Sequence, residues 1–296
     1  DVTAIGRSAD SSHGIGLVGG VSNQMIRAYG FYSDERGSDR EFPGGYIDST
    51  SYDRQVYGLG AGLKHGNSEW DLELRRQETG PTGNPPFAMD IDYVKTDFAR
   101  LRFETKFADT TMALAFGYSD VSPGMNNFGQ RPPPPMTTRY RYTTASGTTH
   151  TVALDFSTPL GTGELEYGFD VETGEHDALI SNPNNTAFFV SSIPDIEQDR
   201  FGAYVNWKGD VGLGNIELGA RVDRYEDTSG KAVTGPALPA MVGMLAMTFN
   251  QSERDWNDTA VDLMARYWCQ SELGAWRFSI ARKNRAPMFL ERYGWL

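Results

Sequence analysis

No stretch of the 296-residue sequence approaches the roughly 18 consecutive apolar residues of a membrane-spanning helix. There is one cysteine, Cys269, which excludes an internal disulfide and a multi-thiolate zinc site. Basic residues are in deficit, 27 Lys and Arg against 39 Asp and Glu, for a net charge of −12. That balance excludes a nucleic-acid-binding face, which needs clustered positive charge. No phosphate loop, dinucleotide fingerprint or multi-histidine metal motif is present. The sequence opens at Asp1 with no recognisable signal peptide.

What the sequence has is glycine (33 residues), aromatics (12%) and an alternation of period two. Tyr57, Leu59, Ala61 and Leu63 alternate with Gly58, Gly60, Gly62 and Lys64. Trp70, Leu72 and Leu74 alternate with Asp71, Glu73 and Arg75, and Leu101 and Phe103 with Arg100, Arg102 and Glu104. The rhythm returns around Leu114, Leu154, Phe169, Val205, Leu218, Leu263 and Phe278. Ten such segments, with two weaker ones near 12–21 and 25–35, predict about twelve strands. Each is roughly 9–13 residues, close to what a tilted strand needs to cross a bilayer.

Short connections such as 65–68, 108–110 and 159–163 alternate with long ones at 36–53, 78–92, 121–145, 175–197 and 227–255. A membrane barrel has tight periplasmic turns and long extracellular loops, and a soluble domain rarely carries five long structureless loops. Trp70, Phe107, Trp207 and Trp276 fall near the short-turn ends, where an interfacial aromatic belt would lie. Spanning strands must pair all their backbone groups, so the sheet has to close. The expected fold is an all-β, antiparallel up-and-down transmembrane β-barrel, with its apolar face toward lipid and its charged face toward a lumen.

Three segments resemble TonB-dependent outer-membrane receptors, particularly the branch of copper receptors: PPFAMDIDYVKTDFARLRFETKF (85–107), GYSDVSPGMNNFGQRPPPPM (117–136) and SIARKNRAPMFLERYGWL (279–296). In the second, Asn126 stands where the family's turn usually has Asp. In the third, Arg285, Pro287, Glu291, Arg292 and Tyr293 carry the match. The resemblance implies a roughly 22-stranded barrel filled by an N-terminal plug that engages the TonB complex. On that plan, residues 1–296 would lack the plug and the final strands. Residues 1–296 are therefore expected to be one internal barrel segment. The implied setting is the bacterial outer membrane, against lipid and lipopolysaccharide, with a metal ion or metal chelate as cargo and no resident cofactor.

Seven methionines fall in the long connections or the tail. Met89, Met125 and Met136, with Arg131 and His176, are candidate ligand-binding residues; Met241, Met244 and Met247 are candidate metal ligands. Thioethers suit soft ions such as Cu(I). The same residues could instead fill apolar gaps or pack against a plug. The acidic connections (Asp34, Glu35, Asp39, Asp90, Asp92 and others) read either as cation capture or as a solvated outer surface. Charges of both signs on the lumen face are expected to pair across strands or to meet a plug.

Catalysis is not expected: Ser181 and His176 share a long connection, but nothing orients them. The predicted function is TonB-dependent uptake of a metal ion or metal chelate, siderophore or copper. The alternative is a stand-alone porin-like or structural barrel.

Overall fold

A computed structural model describes all residues, 1–296. The strands are β1 (Val2–Arg7), β2 (Ser12–Ser22), β3 (Ile26–Gly37), β4 (Arg40–Phe42), β5 (Gly45–Ile47), β6 (Tyr52–His65), β7 (Ser68–Thr79) and β8 (Asp90–Phe107). They continue as β9 (Thr110–Asn126), β10 (Tyr142–Leu160), β11 (Gly163–Asn182), β12 (Asn185–Val211), β13 (Gly214–Ser229), β14 (Asp255–Ser271) and β15 (Gly274–Arg282). Helix α1 (Ala240–Gln251) lies between β13 and β14, and α2 (Phe289–Tyr293) follows β15.

Thirteen strands form one antiparallel sheet in which each pairs with its sequence neighbour, while β4 and β5 make a separate hairpin. The up-and-down order is the expected one, with one strand more than the alternation predicts. Six residues in β1 are too few to show a period. The sheet is open within this chain, since β1 and β15 each pair on one side only.

The register aligns the apolar positions of neighbouring strands. Leu72 opposes Leu101, Leu101 opposes Phe116, Phe116 opposes Val152, and Val152 opposes Val171. Further round, Val205 opposes Ala220, which opposes Leu263. These side chains are accessible rather than buried: Phe169 is 58%, Phe278 61% and Ile280 74% exposed. A one-residue slip would carry the whole set to the other face, so the pattern holds the register. Near the tight turns the rings pair as an interfacial belt would, Trp70 lying 4.3 Å from Phe103 between centroids.

Several predicted loops are ordered structure. The connection placed at 175–197 is mostly strand: β11 runs to Asn182 and β12 begins at Asn185. Parts of 121–145 belong to β9 and β10, and 36–53 holds the β4–β5 hairpin. Strands β8 to β14 are therefore longer than the 9–13 residues predicted. Beyond the apolar band the strict alternation lapses: Ala178, Leu179 and Ile180 run consecutively in β11 and register shifts interrupt its pairing with β12, so period two does not mark these extensions. The connection 227–255 contains α1, whose uncharged sequence lacks capping signals, with Pro239 at its N-cap and no side-chain cap bond.

Candidate functional site: the outer mouth of the wall

The site lies where the strands continue past the apolar band, at the end away from the tight turns. Lumen-facing positions follow by alternation from the apolar ones, with a register shift between Ile91 and Tyr93 bringing Ile91 to that face. A row of paired residues crosses the sheet there: Ile91 with Met125, Met125 with Thr143, Thr143 with Ile180, and Ile180 with Val190. Bridges extend the row from Ile91 to Thr82 and from Val190 to Thr234. Val190 is 4% exposed, so this part of the mouth is covered.

Two predicted methionines converge on this row. The Thr143 hydroxyl donates to the Met89 Sδ at 3.4 Å, and Met125 is the cross-strand partner of the same threonine. Met125 belongs to strand β9 rather than to a loop. Met136 stands apart, half exposed at the N-cap of a 3-10 turn at Thr137–Arg139. Met241, Met244 and Met247 share one face of α1, at 63%, 59% and 59% exposure, with Ala246 and Phe249 buried on the opposite side. They form a second, separate set of thioethers.

Arg131 holds loops together. Its Nε and Nη2 donate to the two oxygens of Asp90 at 2.8 and 2.6 Å, and its Nη1 donates to the Phe87 carbonyl at 2.8 Å. Asp90 is 1% exposed and also accepts from the Asn84 amide at 2.8 Å. The Arg131 guanidinium keeps the Asp90 carboxyl below the usual carboxylate range. Asn126 does what an aspartate would do in its turn, accepting from the Phe128 and Gly129 amides at 3.1 and 2.6 Å.

His176 lies within strand β11, on the lumen side, and its ring stacks on Phe289 with centroids 5.1 Å apart. Burial lowers its pKa below the ordinary imidazole value, favouring the neutral form. Ser181 sits on the same strand at opposite parity, about 17 Å away along the chain, so the two cannot act as a nucleophile and base.

Many acidic residues of the connections are engaged internally. Glu35 pairs with Arg7 and Arg54, and Asp39 accepts from the Thr50 and Ser51 amides. Asp92 accepts from the Tyr142 hydroxyl at 3.0 Å; burial first, then this carboxylate, pushes the phenol up to about 12. No three His, Cys, Asp or Glu side chains gather in metal-binding geometry. Met89 and Met125, both neighbours of Thr143, offer thioethers, which suit a soft ion and poorly suit Mg²⁺ or Ca²⁺.

Lower on the lumen face the charges pair across strands. Asp170 lies 3.0 Å from Arg200 and 2.8 Å from Arg221, and Arg221 also lies 2.6 Å from Asp223 on its own strand. Arg266 meets Glu217 at 2.8 Å.

Sequence reasoning missed Thr143, whose hydroxyl has no signature, and the role of the tail. Its Arg285, Glu291, Arg292 and Tyr293 were recognised as a motif without a structural role.

The sequence profile of the TonB dependent receptor-like, beta-barrel family matches residues 22–295. A search of curated proteins finds no match. Among solved structures, the chain is similar to a copper transporter, OprC, with a TM-score of 0.79, 14% identity, and coverage of 97% of this chain and 45% of that one. It is also similar to the ferric-catecholate import receptor Fiu of E. coli K12, with a TM-score of 0.64, 13% identity, and coverage of 97% and 54%. The chain thus spans about half the length of these two proteins. At such identities they speak for the fold, while the profile match takes in nearly the whole sequence, and the chain belongs to the TonB-dependent receptor-like β-barrel family.

Proposed function

We propose that residues 1–296 are a section of the wall of a longer outer-membrane receptor that imports a soft metal ion, or a chelate of one, in a TonB-dependent manner. The observation that carries the reading is that Met89 and Met125 both neighbour Thr143, on the lumen-facing row of the outer mouth. Met125 is held by paired strands, and Met89 is tied at the start of β8 by its hydrogen bond from Thr143, so part of the site is preorganised. Copper in the +1 state is the cargo these donors favour. The copper transporter among the similar structures agrees with that choice, and the ferric-catecholate receptor keeps a chelate in view. Met136, Met241, Met244 and Met247 would serve as outer capture sites. Arg131 contributes by holding the loops and His176 by anchoring the tail, not as ligands. Contact with TonB would belong to a plug domain outside these residues, and lipid and lipopolysaccharide would cover the apolar face.

Isothermal titration of the full-length receptor with Cu(I), Cu(II) and ferric chelates tests the reading. Cu(I) should bind, and replacing Met89 and Met125 together by Leu should weaken it at least about tenfold. Unchanged Cu(I) affinity in that double variant would sink the assignment.

A further inference from the structure

The side chains of this sheet are mostly accessible, but one true core exists, and it lies on the lumen side. Ile196, Ala232, Ala246, Phe249 and Tyr293 are buried together, with Ile193, Phe289 and Trp295 packed against them. These residues come from the wall (β12), from the connection carrying α1, and from the tail after β15. By alternation Ile196 faces the lumen, as do His176, Asp227 and Asp258. The tail therefore folds inward and back across β14, β13, β12 and β11.

Its contacts run along that path. The Asn284 amide donates to Asp262 at 2.8 Å. Arg285 grips Glu291 with two hydrogen bonds of 2.7 and 2.8 Å, and Glu291 also accepts from the Met288 amide at 2.7 Å, closing the turn into α2. Phe289 stacks on His176. The Arg292 side chain is 4% exposed and lies 2.7 Å from Asp227, itself 2% exposed; it also pairs with Asp258. The Tyr293 hydroxyl donates to the Arg254 carbonyl at 3.2 Å, at the end of the α1 connection.

We propose that residues 283–296 are an internal strap, pinned by Arg292, that positions helix α1 against the lumen wall. The helix supplies only Ala246 and Phe249 to the core, and it has no charged residue and no side-chain cap to hold it elsewhere. The strap supplies the other side of that core. Arg292 reaches two strands at once, Asp227 on β13 and Asp258 on β14, the strands on either side of the α1 connection. Arg292 hydrogen-bonds Asp258 and lies in ionic contact with buried Asp227, and a buried charge costs much to leave unpaired, so these two contacts hold the pin in place. Because α1 carries Met241, Met244 and Met247, the strap also sets where those thioethers stand, and this consequence rests on the metal reading above.

Hydrogen–deuterium exchange on the full-length receptor tests the strap without any metal. Arg292→Met should speed exchange across 240–251 by about tenfold or more while leaving 203–222 of the wall unchanged, and Arg292→Lys should restore much of the protection. Should Arg292→Met fail to fold, Phe289→Ala removes the stack on His176 without unpairing a charge and should loosen the same helix. Unchanged exchange in 240–251, or an equal rise throughout the wall, overturns the proposal. Cu(I) titration of the same variants separates the two ideas. A freed helix with unaltered Cu(I) affinity supports the strap and removes Met241, Met244 and Met247 from the metal reading.

Discussion

Asp90 and Arg131 stand 41 residues apart in sequence and meet through two hydrogen bonds of 2.8 and 2.6 Å, with Asp90 nearly sealed from solvent. Their pairing closes the connections on either side of β8 and β9, next to Met89. Removing the arginine leaves a buried carboxylate without its partner, at a cost of about 3–5 kcal/mol. Arg131→Ala should therefore open residues 80–89 and 127–141 to limited proteolysis while the strand pattern in circular dichroism stays unchanged.

The same clamp should depend on pH. The folded Asp90 carboxyl titrates below its ordinary value of 3.8 because Arg131 holds its charged form. Its stabilisation is then complete above that value and disappears as pH falls through the lowered folded pKa. Loop protection should be constant from neutral pH to about 4.5 and decline below it. In Arg131→Ala the acid decline should vanish or reverse, because protonation then relieves the unpaired Asp90 carboxylate; the same decline in that variant would show that another group titrates.

The apolar face makes a sharper prediction. Phe169 and Leu101 sit at mid-strand in the ladder of apolar pairs. An arginine at the middle of a lipid-facing strand costs about 2–4 kcal/mol. Phe169→Arg should lower unfolding stability in lipid vesicles by that amount, whereas Asp170→Asn, one residue away on the lumen face, should act only through its pairs with Arg200 and Arg221. A soluble, monomeric Phe169→Arg protein of unchanged stability would contradict the lipid-facing assignment.

Ala108 occupies a tight turn with φ of +51°, a conformation that costs a non-glycine residue about 1–2 kcal/mol. The equivalent position in another such turn is Gly212, at φ +63°. Ala108→Gly should stabilise the β8–β9 hairpin by about 1 kcal/mol, read from the denaturant midpoint.

Gly60 makes the opposite case. A Cβ there would lie 2.3 Å from the ring of Tyr29, its cross-strand partner on the lumen face. Gly60→Val should push Tyr29 off the wall, seen as a change in near-ultraviolet circular dichroism, and destabilise β3 against β6 by about 1–3 kcal/mol.

The strands crossing the apolar band were legible because each such residue must choose between two faces, and the choice is written every second position. Leu72, Leu101, Phe116 and Val152 show it, and the strand order follows from the tight turns between them. Met89 and Met125 were legible as chemistry, since thioethers outside the apolar band are conspicuous. Their meeting at Thr143 was not, because it depends on a register across three strands and on the course of the connection before β8. The extension of β11 and β12 to Asn182 and Asn185 was hidden for a related reason: consecutive apolar residues and register shifts break the alternation there, and Val190 and Ile196 are covered by distant segments. The motif of Arg285, Glu291, Arg292 and Tyr293 could be read as a likeness, but the partners Asp227 and Asp258 of Arg292, and His176 beneath the neighbouring Phe289, come from strands about 35 to 115 positions away, and only packing brings them together. Local periodicity was enough to specify a wall and its two faces, because burial in lipid acts on each residue alone. The mouth of that wall, with its clamp, its thioether pair and its strap, was decided by the tertiary structure, because each depends on side chains from distant segments meeting at one place.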